Sequence, residues 1–248
     1  MKKIVFAVSS LILSLGLLSG TVQAQTGSSI EYQEGLHYTL IGDAPVNDDA
    51  PMELVEAFSY LCTHCNTFEP YINNWVKRKP EYVGFSRIPI VFGRKAWEIY
   101  ARGYVTAEMM GIGEEAHPAM MDVIWNEKAV MRSMKEIAEF YSRFDVSAES
   151  FLNTSKSFAV DAKMRKDQRL AQDYGIRGTP SLVLNGRYRI AGNEAVASYD
   201  VMLDVVDFLI ARDTAERQKN ASVGVQEAVE SELVDESIDQ SAEPAEET

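Results

Sequence analysis

The sequence predicts an α/β fold in which an all-helical domain is inserted into a sheet-bearing one. Three observations point there. Apolar runs of strand length lie both before residue 92 and after residue 176. The stretch between them, from about Arg94 to Gly175, carries its apolar residues at helical spacing. The only two cysteines, in Cys62-Thr63-His64-Cys65, fall where a buried strand should give way to a helix. With 248 residues, 46% of them hydrophobic and 10% aromatic, the chain can build one domain with an insertion or two small ones. The expected division is a leader over 1–24, a sheet domain over 25–92 and 176–218, the helical insertion over 93–175, and an acidic tail over 219–248.

Taken in order, His37 to Ile41 is a short strand candidate. After a polar turn comes Leu54-Val55-Glu56-Ala57-Phe58-Ser59, an apolar run short enough for a buried strand. It ends at the cysteine pair, and Phe68, Ile72, Trp75 and Val76 then fall at helical spacing until Pro80 closes the segment. Val83 to Ile90 reads as the next strand. Helices are expected over Trp97–Met110, ending at Gly111, and over Pro118–Glu127, with the proline at the first turn. Ser133 is placed to cap a helix reaching Phe144, with Glu136 three residues on. A short helix over Ala148–Asn153 and a long one over Phe158–Tyr174, stopped by Gly175, complete the block. Ser181–Leu184 and Arg187–Ala191 flank Asn185-Gly186, the strongest short hairpin signal. Ser198 could cap a last helix to about Arg217, with Met202, Val205, Val206 and Leu209 as its buried stripe.

Lys2 and Lys3 followed by the apolar stretch Ile4–Leu18 and by Val22-Gln23-Ala24 form the pattern of a cleaved secretory signal, with the mature chain starting near Gln25. About 15 apolar residues is short for a bilayer span, which needs about 20. The exported compartment is oxidising, so a dithiol there can cycle through a disulfide. The net charge of −13 argues against nucleic acid and anionic lipid surfaces as partners. Nine acidic residues lie between Ala221 and Thr248, a stretch without Lys, Arg or aromatics, which reads as a disordered tail.

A single Cys-x-x-Cys is a poor staple, because so small a loop contributes only about 2 kcal/mol against about 3 for 15 residues. Redox use explains it better. A cysteine at a helix start meets unpaired backbone N–H groups and the positive end of the helix dipole, which favour thiolate; Cys62 is placed that way, and Cys65, one turn in, should be buried and protonated. A stabilised thiolate is a good leaving group, and the corresponding disulfide is oxidising. His64, inside the loop, could donate to the Cys62 sulfur or place positive charge near it. His37 and His117 have no such context and are read as having no role. The residue after Cys65 is Asn66, which excludes haem attachment. Two cysteines and three scattered histidines are too few for a structural zinc site, so no metal is expected. No phosphate loop or serine nucleophile elbow is present. Met109-Met110 and Met120-Met121 read as core filling rather than as a peptide groove.

The Phe58-Ser59-Tyr60-Leu61-Cys62-Thr63-His64-Cys65 stretch, and Gly178-Thr179-Pro180 followed by Val183-Leu184-Asn185-Gly186, resemble the DsbA family of periplasmic thiol:disulfide oxidoreductases over roughly residues 32 to 215. The resemblance implies a thioredoxin-like fold, a periplasmic location, and no cofactor beyond the redox-active Cys62–Cys65 disulfide. It implies that Thr179-Pro180 is a cis peptide facing the dithiol, where backbone could pair with an extended substrate. It places Glu56 as a buried acid behind the active site, able to relay a proton to Cys65, with Arg87 as a candidate partner. The alternative for Glu56 is a solvent-facing strand residue. The implied reaction passes the disulfide to reduced, unfolded secreted proteins: a substrate thiolate attacks Cys62, and Cys65 resolves the mixed disulfide. A DsbB-like quinone-linked membrane protein would reoxidise the chain, which is expected to be a monomer. The commoner loop in the family has proline where this chain has Thr63, which frees one backbone N–H. A reductase or isomerase using the same residues, or a non-catalytic chaperone, are the alternatives.

Overall fold

The computed structural model describes residues 31–42 and 51–239, with side chains as far as Val223. The expected leader over 1–24, most of the polar turn before Met52, and residues 240–248 lie outside the described residues.

A five-stranded sheet organises the molecule. Its strands are β1 (Thr39–Leu40), β2 (Met52–Phe58), β3 (Val83–Pro89), β4 (Ser181–Leu184) and β5 (Tyr188–Ala191), in the order β1-β5-β4-β2-β3. Only the β2–β3 pair is parallel, and its crossover is helix α1 (Thr63–Arg78). β4 returns antiparallel to β2, and β5 antiparallel to β4. The β4–β5 turn places Asn185 at φ 55° and Gly186 at φ 64°, the left-handed pair that the Asn-Gly signal demands.

β2 lies inside the sheet, between β4 and β3, and is buried on both faces from Leu54 to Phe58. Side chains alternate along a strand, so Val55 and Ala57 face one way and Leu54, Glu56 and Phe58 the other. Val55 and Ala57 pack with Ile88, Ile90, Val183 and Ala171 of helix α6 (Phe158–Asp173). Leu54 packs with Phe68, Ile72 and Trp75 of α1 and with Val205, Val206 and Leu209 of α7 (Tyr199–Asp239). The Trp75 indole donates to Asp207 at 2.7 Å, joining α1 to α7. Glu56 therefore faces the helix that begins at the cysteine pair.

Between β3 and β4 the described chain is helical: α2 (Lys95–Met109), α3 (Gly113–Trp125), α4 (Met134–Tyr141), α5 (Ala148–Ser155) and α6. Gly103 lets α2 and α4 approach closely, since a Cβ there would sit 2.8 Å from the Ile137 side chain. Ser133, Ser147 and Ser157 cap α4, α5 and α6 with their hydroxyls. Met120 and Met121 are core, whereas Met109 is exposed, so the core reading fails at that residue.

Two helix boundaries differ from expectation. α3 starts at Gly113, five residues before Pro118. A proline in the second turn forfeits one intrahelical bond, a smaller loss than the core contacts of Ala116, His117 and Met120 that the longer helix secures. α7 continues to Asp239, past the end expected near Arg217 and through much of the stretch read as a disordered tail. No proline interrupts it before Pro244, and Gly224 is its only glycine after Leu203, so continuing the backbone costs little. From Gln218 to Val223 it is exposed, a solvated extension rather than a packed element.

Candidate active site

Cys62 is the N-cap residue of α1, with extended backbone (φ −97°, ψ 117°). Its side chain makes no capping hydrogen bond, but the backbone N–H groups of His64 and Cys65 at the helix start lie close enough to favour a thiolate there. The thiol donates to the Thr179 carbonyl at 3.3 Å. The Thr179–Pro180 peptide is cis. The Cys62 pKa is lowered to about 5, chiefly by a hydrogen bond from the Cys65 thiol, then by the Thr179 hydroxyl and the two backbone N–H groups, against a penalty from partial burial. Ionisation gives up the bond to the Thr179 carbonyl, and these donors outweigh it.

Cys65 has the opposite surroundings. It is fully buried in α1. Burial first, then the hydrogen bond to Cys62 and the negative charges of Cys62 and Glu56, hold its thiol far above the ordinary range. The pair thus sets a largely buried thiolate beside the groove and a fully buried thiol behind it.

Behind Cys65 lies a buried charge network. Glu56 is inaccessible to solvent and accepts from Arg87 Nε at 2.9 Å, across the β2–β3 register pair Glu56↔Arg87. Its second oxygen, Oε1, has no hydrogen-bond partner among the described residues. Burial raises the Glu56 pKa to about 7, with Arg87 opposing and Glu69 adding to the rise. Arg87 itself is held more firmly protonated, because Glu56, Glu69 and Glu114 surround it at 2.9, 3.7 and 3.5 Å. Glu69, one turn beyond Cys65 on α1, sits 3.2 Å from His117 Nε2. His117 Nδ1 lies 3.0 Å from the Tyr60 hydroxyl. Burial lowers the His117 pKa, which makes the ring neutral near pH 7. The self-consistent arrangement has Nε2–H donating to Glu69 and the Tyr60 hydroxyl donating to Nδ1. Burial pushes Glu69 up, but the hydrogen bond and charge of His117 and the charge of Arg87 pull it net below the ordinary carboxylate range.

On the open side of Cys62 is a groove of about 500 Å³, walled by His64, Thr179, Pro180, Tyr199 and Met202. The Tyr199 hydroxyl donates to the His64 carbonyl at 3.0 Å, tying α7 to the loop.

A family profile for the DSBA-like thioredoxin domain matches residues 85–203. DsbA of Pseudomonas aeruginosa, a thiol:disulfide interchange protein, is 33% identical over 211 residues, covering 85% of this chain and 99% of that protein. The chain belongs to the DsbA family. The Azotobacter vinelandii DsbA is likewise 33% identical, over 86% of this chain and 98% of its own. The crystal structure of P. aeruginosa DsbA superposes with a TM-score of 0.68 at 34% identity, covering 75% of this chain and 97% of that one. A Proteus mirabilis DsbA crystallised with the non-covalently bound peptide PWATCDS aligns at 25% identity and TM-score 0.60, covering 73% of this chain and 99% of that one. As a DsbA-family member the chain is a thiol:disulfide oxidoreductase with a thioredoxin-like fold.

Of the residues singled out in the sequence, the fold brings Cys62, Cys65, His64, Thr63, Thr179 and Pro180 to one surface, and Glu56 to the buried side of the same helix start. Glu56 is not solvent-facing. His64 differs in detail. Its imidazole is exposed and makes no hydrogen bond to the Cys62 sulfur; the contact comes from its backbone N–H. Thr63, at the first helical position, offers its carbonyl to the Thr67 hydroxyl at 3.1 Å. His117 was read as having no role, and it is instead a buried member of the charge network. Its partners Tyr60 and Glu69 lie 57 and 48 residues away in sequence, beyond any local pattern. His37 is half-buried and accepts a bond from the Gln33 backbone, a local loop contact. Among the described residues no group of three or more His, Cys, Asp or Glu could hold a metal ion, and no helix is long and apolar enough to cross a membrane.

Proposed function

We propose that this chain passes a Cys62–Cys65 disulfide to reduced, unfolded secreted proteins in the periplasm. The observation that carries the reading is the contrast between two sulfurs one helical turn apart, one lowered to about 5 and the other held protonated. A substrate thiolate attacks the Cys62 sulfur of the disulfide, the S–S bond breaks, and Cys65 leaves and takes up a proton. A second substrate thiolate then attacks the substrate sulfur of the mixed disulfide, expelling Cys62 as a stabilised thiolate. Two electrons move from the substrate dithiol to the protein pair. This balance corrects the expectation that Cys65 resolves the mixed disulfide, because attack by Cys65 regenerates the starting disulfide and releases the substrate still reduced.

Glu56, pKa about 7, supplies the proton for Cys65 and recovers it on reoxidation. Thr179 and Pro180 hold the substrate backbone beside Cys62, and His64 and Thr63 shape the helix start. The working cofactor is the cysteine pair alone. The lysine-started apolar segment ahead of Gln25 supports export, and 93–175 acts as an inserted helical domain between the two halves of the thioredoxin-like domain. A DsbB-like quinone-linked membrane protein returns the pair to the disulfide, and the chain works as a monomer.

The deciding experiment is the equilibrium reduction potential of Cys62–Cys65 in glutathione buffers, on the protein from Gln25 onward. A potential well above the glutathione couple is expected. One near that of thioredoxin would turn the assignment to a reductase, with Thr63 and Thr179 responsible. Full biological activity in Cys62→Ala would turn it to a chaperone.

A further inference from the structure

The groove beside Cys62 is cationic in an acidic protein. The chain carries −13, yet the groove wall contains Arg177, Arg189 and His64 and no carboxylate. Arg177 is exposed and has no ion-pair partner among the described residues, and neither has Arg189. The acids on flanking elements, Asp173, Glu194 and Asp200, are exposed and pair with neither arginine. Arg189 is fixed in place. Its Nη1 donates to the carbonyls of Tyr174 and Gly175, at 3.0 and 2.6 Å, the open end of α6. It approaches so closely that a Cβ on Gly175 would lie 2.4 Å from that nitrogen. These bonds occupy one nitrogen of the fork and leave Nε and Nη2 free of protein partners, on a side chain whose position is already set.

Arg87, the one buried arginine among the described residues, is by contrast met by three carboxylates. Other arginines on the surface also lack ion pairs among the described residues, and what sets the groove apart is that two of them share one wall beside the reactive sulfur with no carboxylate in the lining. We propose that the groove selects substrate segments carrying Asp or Glu within a few residues of the reacting cysteine, with Arg177 and Arg189 as the specificity-determining side chains. The proposal rests on the oxidase reading above and adds the class of substrate. Pre-positioning Arg189 lowers the ordering cost of each new ion pair, and the positive wall raises the encounter rate of acidic segments. A groove built for apolar segments alone would gain nothing from two unpaired cations.

The test uses the oxidised processed protein and three synthetic dithiol peptides identical except for Glu, Gln or Lys at the positions flanking one cysteine. Quenched-flow oxidation rates are measured at low salt and at about 0.5 M salt, where charges are screened within a few ångströms. The Glu peptide is expected to react about tenfold faster than the Lys peptide at low salt, the scale of one or two partly exposed ion pairs. The advantage shrinks toward unity at high salt. Arg177→Glu reverses the order. Because the Glu-to-Lys ratio is taken within one protein, a general loss of activity in the variant cancels. Rates within twofold of each other, a ratio unmoved by Arg177→Glu, or a Gln peptide faster than both would overturn the selectivity while leaving the oxidase reading intact. If none of the three peptides is oxidised while the protein's own disulfide is intact, the oxidase reading falls and the selectivity with it.

Discussion

The two sides of the cysteine pair are built on opposite principles. The front, around Cys62, is held by hydrogen bonds that converge on one sulfur: from the Cys65 thiol first, then from Thr179 on the neighbouring loop and from two N–H groups of a helix start. Its arginines, the exposed Arg177 and the half-buried Arg189, have no ion-pair partner among the described residues. The back, around Cys65, is held by side chains, an interlocked set of Glu56, Arg87, Glu69 and His117 sealed from water. The front stabilises a charge beside the groove, whereas the back manages charges in a place where each one alone would be costly. The difference teaches where each can be altered. Front residues tune the reaction, and back residues put the fold at stake.

The most severe way to break the comparison is to remove the sulfurs themselves. Cys62→Ser should abolish disulfide transfer to a reduced peptide, a loss beyond about a thousandfold, since no other sulfur can accept the attack. Cys65→Ser should instead leave Cys62 able to form adducts with disulfide-bearing peptides that mass spectrometry detects as long-lived mixed disulfides.

The next effect separates reduced from oxidised protein. A Cys62 thiol lowered from 9.0 to about 5 stabilises the reduced fold at high pH, fully above the unfolded value, and the benefit is lost as pH falls through about 5. At pH 7 this amounts, after screening by solvent, to on the order of 2 kcal/mol in the reduced form only. Urea unfolding of both redox forms should therefore show the reduced form the more stable near pH 7 to 8, with the gap narrowing toward pH 5.

On the back, His117→Leu leaves the Glu69 carboxylate and the Tyr60 hydroxyl without their partner, which should cost about 1–3 kcal/mol in both redox forms. A double-mutant cycle with Glu69→Gln measures the coupling, and additivity would show that the contact carries no energy. Glu56→Gln gives a smaller and pH-shaped effect. A carboxyl raised to about 7 contributes stability fully present below its unfolded value near 4.5 and lost as pH rises through about 7. The variant should lose that slope in the unfolding free energy between pH 5 and 8, and the matching limb of the peptide-oxidation rate. The mildest change is Thr179→Val. It removes one of several donors to the Cys62 sulfur and should raise the Cys62 pKa by less than about one unit, read from thiolate absorbance near 240 nm during a pH titration.

The same contrast explains what could be read from the chain alone. The front was legible because its geometry is local: a cysteine at a strand-to-helix junction must cap the helix, and Asn185-Gly186 must turn the hairpin that follows Thr179-Pro180. The order of strands and the helical block were legible for the same reason, since apolar periodicity and serine caps are short-range signals. The back was half legible. Glu56 and Arg87 stood out as charged residues within strand patterns, and their register is what a parallel β2–β3 pair enforces. His117 could not be found that way, because it enters from α3 to meet residues on α1 and at the end of β2 that only the tertiary fold brings near. The boundaries of α3 and α7 were missed for a different reason. Pro118 was given more authority over a helix start than a packed helix allows it, and the run after Arg217 was judged by what it could bury rather than by what its backbone could adopt.

Gly175 and Arg189 meet so closely that the glycine is bound to the arginine, though not the arginine to the glycine. Any side chain at 175 would have to adopt φ +61° and displace the guanidinium, whereas loss of the arginine would open room for one. Across descendants of this chain the dependence should run one way: the arginine can be lost while the glycine stays, whereas a side chain at 175 should appear only where the arginine has gone or swung aside. The groove's charge would then vanish first, and the glycine behind it only afterwards.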